Sequence, residues 1–117
     1  MKIQLHNGMM RITELRELCT ANARAFGDEA SAALDQSLST IELDLSQVQF
    51  VDSGGLGALV SLHKEANRRT RTGGVSIRLL DPPASVQQVL ELTRMHSLFE
   101  IVQRPSPSIE DSSPTGP

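Results

Sequence analysis

The 117-residue sequence predicts an α/β fold in which helices pack against a small mixed β-sheet. Three observations predict this fold. Short apolar runs with the period of a strand alternate along the chain with longer segments that have the period of a helix. An Asn-Gly pair near the N-terminus is typical of a β-hairpin, which supplies one antiparallel strand pair. Helices separate the later strands, and this order predicts parallel pairs joined by right-handed crossovers.

The composition fits one compact domain with an aliphatic core. Hydrophobic residues make up 38% of the chain and aromatic residues only 3%, and the formal net charge is -3. Few aromatic rings and no net positive charge argue against a nucleic-acid surface. A single cysteine, Cys19, excludes an internal disulfide and fits a reducing compartment. Because no signal peptide or membrane span is visible, we expect a cytoplasmic protein that binds neither nucleic acid nor membrane.

The first half of the chain predicts a hairpin, a helix and a third strand. Lys2–Leu5 and Met9–Leu15 form the hairpin around Asn7-Gly8, because both central positions of a type I′ turn have positive φ. Ile41–Leu45 alternates apolar and polar residues, as a strand does. The intervening helix is predicted from apolar residues at helical spacing, which are Phe26, Ala30, Ala33, Leu34 and Leu38.

A second helix follows the short connection Ser46–Val51 and is expected to end at Gly73-Gly74. Its predicted inner face consists of Leu56, Leu59, Val60, His63 and either Ala66 or Asn67. Basic residues crowd its C-terminal half, where they suit the helix dipole, namely Lys64, Arg68, Arg69 and Arg71. We interpret this basic cluster as a solvated helix end, with contact to an acidic partner as the alternative.

The last third of the chain predicts a strand, a helix and a short edge strand. Val75–Leu80 is the strand, and Asp81-Pro82-Pro83 opens the helix with proline at an early position. The inner stripe of that helix is Val86, Val89 and Leu90, and Ser97–Val102 adds the edge strand. From Arg104 onward, proline, serine and acidic residues dominate, so residues 104–117 are predicted to be a disordered tail after a domain of residues 1–103.

The segment Asp52-Ser53-Gly54-Gly55 lies where the chain enters the second helix. A serine at this point is a good N-cap, because its hydroxyl accepts a hydrogen bond from an otherwise unpaired backbone N–H. Glycines remove side chains around the hydroxyl, so a large partner can approach it. The alternative interpretation is structural: the serine only caps the helix, and the glycines only permit a tight turn.

The wider stretch resembles the signature of STAS domains, in particular the anti-sigma factor antagonists. It reads Asp44-Leu45-Ser46, Val48, Phe50 and then Asp52-Ser53-Gly54-Gly55-Leu56-Gly57. Leu79–Pro83 and the apolar residues that follow also resemble the family's C-terminal half. The resemblance implies that Ser53 is the phosphoacceptor and that its neighbours bind the partner, namely Asp52, Gly54, Gly55, Leu56 and Gly57. Cys19 stands where the family often has an aspartate close to the phosphoacceptor.

The resemblance implies a partner-switching role in bacterial transcription. The unphosphorylated protein would bind an anti-sigma factor that is also a serine kinase, phosphorylation of Ser53 would block this binding, and a PP2C-type phosphatase would restore it. We expect a monomer without cofactor or metal. The alternative within the family is a STAS adaptor or scaffold in another phospho-signalling pathway that does not act on a sigma factor.

Catalysis is the remaining alternative, because Asp52-Ser53-Gly54-Gly55 is similar to the sequence around a protease nucleophile. A nucleophilic serine needs a base within hydrogen-bond reach. His63 lies ten residues further on, about 15 Å along the same helix. Val51 also replaces the first glycine of a nucleophile elbow. The histidines His6, His63 and His96 and Cys19 are too scattered to predict a metal site. We therefore expect no enzyme.

Overall fold

The computed structural model describes residues 1–70 and 74–104. Its elements, in chain order, are β1 (Lys2–His6), β2 (Met9–Thr13), α1 (Thr20–Ala32), β3 (Thr40–Asp44), α2 (Ser53–Arg69), β4 (Ser76–Leu80), α3 (Ala84–Leu92), a 3-10 turn (Met95–Ser97) and β5 (Glu100–Val102). This is the predicted order of strands and helices.

The five strands form one mixed sheet in the order β1-β2-β3-β4-β5. β1 and β2 are antiparallel, whereas the β2–β3, β3–β4 and β4–β5 pairs are parallel. Asn7 and Gly8 join β1 to β2 with φ values of 49° and 78°, as the predicted turn requires. The parallel strands are added in one direction, so right-handed crossovers bring all three helices to the same face of the sheet. The predicted α/β class is confirmed.

The core lies between this helix-covered face of the sheet and the helices. β2, β3 and β4 each contribute two side chains with at most 2% exposure, which are Met10, Ile12, Ile41, Leu43, Ile77 and Leu79. Phe26 of α1, Leu59 of α2 and Leu90 of α3 cover them and are themselves buried. The core is therefore aliphatic apart from two phenylalanines, as the composition predicts.

Several predicted boundaries and faces need correction. α1 ends at Ala32, so Leu38 is buried from the loop after the helix rather than from the helix itself. β2 ends at Thr13, because Glu14 adopts a left-handed backbone with φ 60°. On α2 the buried side chains include Leu62, whereas the predicted inward residues Leu56, Val60, His63 and Asn67 are only partly buried.

The end of α2 and the start of the edge strand also differ from their predicted positions. α2 ends at Arg69 with Thr70 as its C-cap, before the predicted end at Gly73-Gly74. Gly73 lies outside the described residues. The edge strand is shorter than Ser97–Val102, because Met95–Ser97 forms a 3-10 turn before it. On α3, Val86 and Leu90 are buried as predicted, and Val89 is partly buried.

The opposite face of the sheet carries a row of charged residues in register across four strands. Arg11, Glu42, Arg78 and Glu100 are direct neighbours on β2, β3, β4 and β5. Glu42 is only 5% exposed, although the alternation of β3 places it on the polar face. Arg11 Nε lies 3.0 Å from Glu42 Oε1 and Arg78 Nη1 lies 2.8 Å from Glu42 Oε2. Two guanidinium groups therefore cover and neutralise this carboxylate.

Two further arginines join the ends of elements, Arg69 through a backbone carbonyl and Arg104 through two carboxylates. Arg69 at the end of α2 donates to the carbonyl of Ser31 in α1 over 2.8 Å, so part of the basic cluster has a structural contact. Arg104 donates from Nε to Asp81 over 2.6 Å and from Nη2 to Asp44 over 3.2 Å. Arg71 and residues 105–117 lie outside the described residues, so the disordered tail and the domain boundary stay predictions.

Candidate functional site

The candidate site lies at the carboxyl ends of the parallel strands, where α1 and α2 begin side by side. The segments that lead into the two helices pair through a parallel bridge between Leu18 and Val51. Thr20 and Ser53 are the first residues of the two helices and are therefore neighbours in space. This edge of an open α/β sheet is where such folds usually bind their ligands.

Asp52 connects the two helix starts through one carboxylate. Its Oδ1 accepts a hydrogen bond from the N–H of Gly55 over 2.9 Å, and this bond caps α2. Its Oδ2 accepts from both the N–H and the hydroxyl of Thr20, each over 3.0 Å. The N–H of Gly55, and after it the N–H of Thr20, hold the pKa of Asp52 below its usual value. The site therefore carries a fixed negative charge at neutral pH.

The predicted N-cap role of Ser53 is wrong, because Asp52 caps the helix and Ser53 is its first residue. A carboxylate has two acceptor oxygens and can serve both helix starts, whereas a single hydroxyl would serve only α2. Ser53 is exposed, and within residues 1–70 and 74–104 its hydroxyl makes no hydrogen bond. The hydroxyl is therefore open to reagents from solution.

The glycines after Ser53 have different roles. A Cβ on Gly55 would overlap the carbonyl of Leu18, and one on Gly54 would lie 2.7 Å from Thr20 Cα. These two glycines therefore let α2 approach the start of α1, as in the structural interpretation. Gly55 is buried, and its predicted contact with a partner stays a prediction. Gly57 is exposed and a Cβ there would meet nothing within 4 Å, so for this residue the partner interpretation stays a prediction.

The remaining residues singled out by the sequence surround this arrangement. Leu56 is partly buried and packs against the core. Cys19 is 8% exposed and precedes α1, where its N–H donates to Asn22 Oδ1 over 2.9 Å. A thiol thus occupies the position at which the resemblance implies a second carboxylate beside the phosphoacceptor.

Sequence reasoning missed two features of the site. Thr20 was not singled out, although it holds Asp52 through two hydrogen bonds. Its polar side chain after Cys19 was the available signal, but the sequence separation of 32 positions between Thr20 and Asp52 hides the contact. Phe50 was noted only as a motif residue, whereas the structure leaves this residue 62% exposed, three positions before Ser53.

Among the described residues, no base accepts a hydrogen bond from the Ser53 hydroxyl. His63 packs edge-on against the ring of Phe99 with a centroid distance of 5.8 Å, about 15 Å along α2 from Ser53. Within the described part of the chain, no three His, Cys, Asp or Glu side chains form a group that could hold a metal ion. The same residues include no helix that is both long and apolar enough to cross a membrane.

The fold and the site define a small α/β domain that presents an exposed serine hydroxyl where α2 begins. The family model of the STAS domain matches residues 1–111, which is nearly the whole chain. The chain therefore belongs to the STAS domain family, as its motif indicates.

Solved structures show the same fold at low sequence identity. A Thermotoga maritima protein provisionally assigned as an anti-sigma factor antagonist has a TM-score of 0.76 at 24% identity, over 94% of this chain and 92% of that one. The unphosphorylated anti-sigma factor antagonist SpoIIAA has a TM-score of 0.72 at 18% identity, over 99% and 98% of the two chains. The phosphorylated form of SpoIIAA, from Bacillus, has a TM-score of 0.61 at 18% identity, over 94% and 96%.

The fold also occurs inside a much larger protein. The murine anion transporter Slc26a9 has a TM-score of 0.72 at 22% identity, over 96% of this chain but only 19% of the transporter. The same architecture therefore serves proteins of different function, and the likeness by itself identifies the fold.

Proposed function

We propose that this protein is an anti-sigma factor antagonist whose binding to an anti-sigma factor with serine kinase activity is switched off by phosphorylation of Ser53. The observation that carries the proposal is the exposed Ser53 hydroxyl at the first turn of α2, free of hydrogen bonds within the described residues. The STAS motif around Ser53 supports it. So does the similarity to SpoIIAA, which has been solved in unphosphorylated and phosphorylated forms.

One phosphate is sufficient for such a switch. It adds nearly two negative charges beside Asp52, which is already ionised. The N-terminus of α2 favours an anion, so the fold should persist after modification. At an interface the same charge would be buried without a partner, and a penalty of about 3 kcal/mol weakens binding more than about a hundredfold.

The proposed cycle needs a second enzyme but no chemistry from this chain. A PP2C-type phosphatase would remove the phosphate and restore binding in the cytoplasm. The domain itself acts as a binding partner, because among the described residues the Ser53 hydroxyl makes no hydrogen bond to a base, and Ser53 receives its phosphate from the kinase.

The test is to measure the affinity of Ser53→Asp and Ser53→Ala for the cognate anti-sigma factor kinase. We expect Ser53→Ala to bind like the unmodified protein and Ser53→Asp to bind at least about a hundredfold more weakly. Ser85→Asp is a matched control, because Ser85 is an exposed residue in the first turn of α3. It should bind normally. After incubation with kinase and ATP, mass spectrometry should find phosphate on Ser53. Equal affinity of the Asp and Ala variants at position 53 would contradict the switch.

A STAS adaptor or scaffold outside sigma-factor control is the second candidate. The observation that favours it is the structural match to part of the Slc26a9 transporter, whose TM-score of 0.72 equals that of unphosphorylated SpoIIAA. Finding genes for a serine kinase and a PP2C phosphatase beside this one would favour the antagonist. Phosphorylation of Ser53 by a kinase that binds no sigma factor would identify the adaptor instead.

A further inference from the structure

We propose that Phe50 is the apolar anchor through which the unphosphorylated protein docks, and that the anti-sigma factor kinase receives its ring in an apolar pocket. The inference rests on the proposed function and adds the chemistry of the partner surface. Its basis is the position and exposure of Phe50 in the connection between β3 and α2.

Phe50 differs from the other two phenylalanines of the chain. Phe26 and Phe99 are 2% and 4% exposed, whereas Phe50 is 62% exposed. The connection does not need this ring for its own packing, because Leu45, Val48 and Val51 already anchor it in the core. Phe50 therefore adds nothing to the core that would account for a large apolar side chain at this position.

The backbone on both sides of Phe50 is held in place. Before it, the N–H of Val48 donates to the carbonyl of Leu45 over 3.0 Å. After it, Val51 pairs with Leu18, and Asp52 binds Thr20 and Gly55. An aromatic side chain on such a support has few rotamers to lose on docking, so burying its ring costs little conformational entropy.

Phe50 also lies within the footprint of any partner that covers Ser53. They are three positions apart in the chain, so their Cα atoms are at most about 11 Å apart. A specific interface of standard size covers roughly 800 Å² of each protein, which corresponds to a disc about 16 Å in radius. A partner centred on Ser53 therefore reaches Phe50. A phosphate on Ser53 and the ring of Phe50 would then lie within the same interface.

The side chains around the Phe50 ring indicate the chemistry of the proposed pocket on the kinase. Gln47 and Gln49 are exposed beside Phe50 and bring neutral amides to the rim. An apolar pocket surrounded by hydrogen-bonding groups matches this arrangement, and buried aromatic anchors with polar rims dominate the affinity of many interfaces. Phosphorylation then removes the ring from its pocket by placing a dianion next to it.

The test measures the affinity of Phe50→Ala for the purified kinase, with Leu92→Ala as the matched control. Leu92 is 77% exposed, and it ends α3 at the opposite edge of the sheet from Ser53. We expect Phe50→Ala to weaken binding at least about 30-fold and Leu92→Ala to change it less than about twofold. Both variants should keep the thermal midpoint of the unmodified protein, because both side chains are exposed.

The outcomes separate this inference from the proposed function. If the unmodified protein binds the kinase and Phe50→Ala binds equally well, the anchor is refuted while the switch stands. If the unmodified protein does not bind the kinase at all, the proposed function fails first. If sedimentation shows a dimer that Phe50→Ala converts to a monomer, the ring serves a second copy of this chain, and the proposed pocket on the kinase is refuted.

Discussion

At the scale of single residues, Gly54, Gly55 and Gly57 show how one motif combines packing with exposure. Gly54 and Gly55 face the start of α1, where a side chain would meet backbone atoms of Thr20 and Leu18. Gly57 lies one turn after Ser53 and faces open space. A glycine inside a helix costs up to about 1 kcal/mol relative to alanine. Substitution of Gly57 should therefore have a different effect on stability from substitution of Gly54 or Gly55.

We expect Gly55→Ala to destabilise the domain by about 2 kcal/mol or more, because its Cβ would overlap the Leu18 carbonyl and force α1 and α2 apart. Gly57→Ala should instead stabilise it by about 0.5–1 kcal/mol, since alanine is the better helix former and meets no neighbour. Urea unfolding of the two variants gives both values. Equal effects of the two substitutions would show that the close approach at Gly55 is not a constraint.

These residue roles could be predicted only in part from the sequence. The motif located Ser53, Asp52 and the glycines, because they are neighbours along the chain. It did not separate packing glycines from exposed ones. That distinction depends on Leu18 and Thr20, which lie more than thirty residues away in the chain and approach only through the fold.

At the scale of elements, the charged row on the sheet shows what the alternation of apolar and polar residues within one strand does not predict. The alternation in β3 places Glu42 on the face opposite Ile41 and Leu43, which is the observed side. It also predicts a solvated side chain, whereas Glu42 is buried. Its covering arginines come from β2 and β4, at positions 31 and 36 residues away. Local periodicity cannot contain that information.

Glu42→Gln should therefore destabilise the domain more than a change at the end of the same row. We expect a loss of about 1–2 kcal/mol, because the substitution leaves Arg11 and Arg78 facing each other without their shared carboxylate. Both arginines are partly exposed, so solvent screening limits the effect. Glu100→Gln is the control, since Glu100 contacts the same Arg78 but is 62% exposed, and it should cost less than about 0.5 kcal/mol. Comparable losses measured by urea unfolding would refute the special role of Glu42.

At the scale of the whole molecule, the order of strands and helices was predictable because each element has its own local signal. The Asn7-Gly8 turn set the antiparallel pair, and the crossover rule set the parallel ones. What holds the carboxyl edge of the sheet together was not predictable. Asp52 ties α1 to α2, and Arg104 ties Asp44 to Asp81, so each contact joins segments that are distant along the chain.

These carboxylate contacts predict that acid loosens the molecule at the edge that carries Ser53. The N–H groups of Gly55 and Thr20 lower the pKa of Asp52. Partial burial opposes a lowered pKa at Asp44, but hydrogen bonds from Ser46 and the charge of Arg104 outweigh it. Each folded pKa lies below the unfolded value near 3.9, so the unfolded state binds more protons in acid. The stabilisation is complete above about pH 5 and is lost as the pH falls through the folded pKa values.

Asp52→Asn tests this dependence, because it removes the titrating group and keeps the size of the side chain. Urea unfolding between pH 7 and pH 3 should show that the variant is less stable than the unmodified protein at pH 7 and loses less stability on acidification. Thr20→Val removes only the hydroxyl donor to Asp52, so its stability at pH 7 should lie between the stabilities of Asp52→Asn and the unmodified protein. Asp44 and Arg104 remain in both variants, so part of the acid dependence should persist. If Asp52→Asn lost stability in acid as steeply as the unmodified protein, the ionised Asp52 could not be what joins the two helix starts.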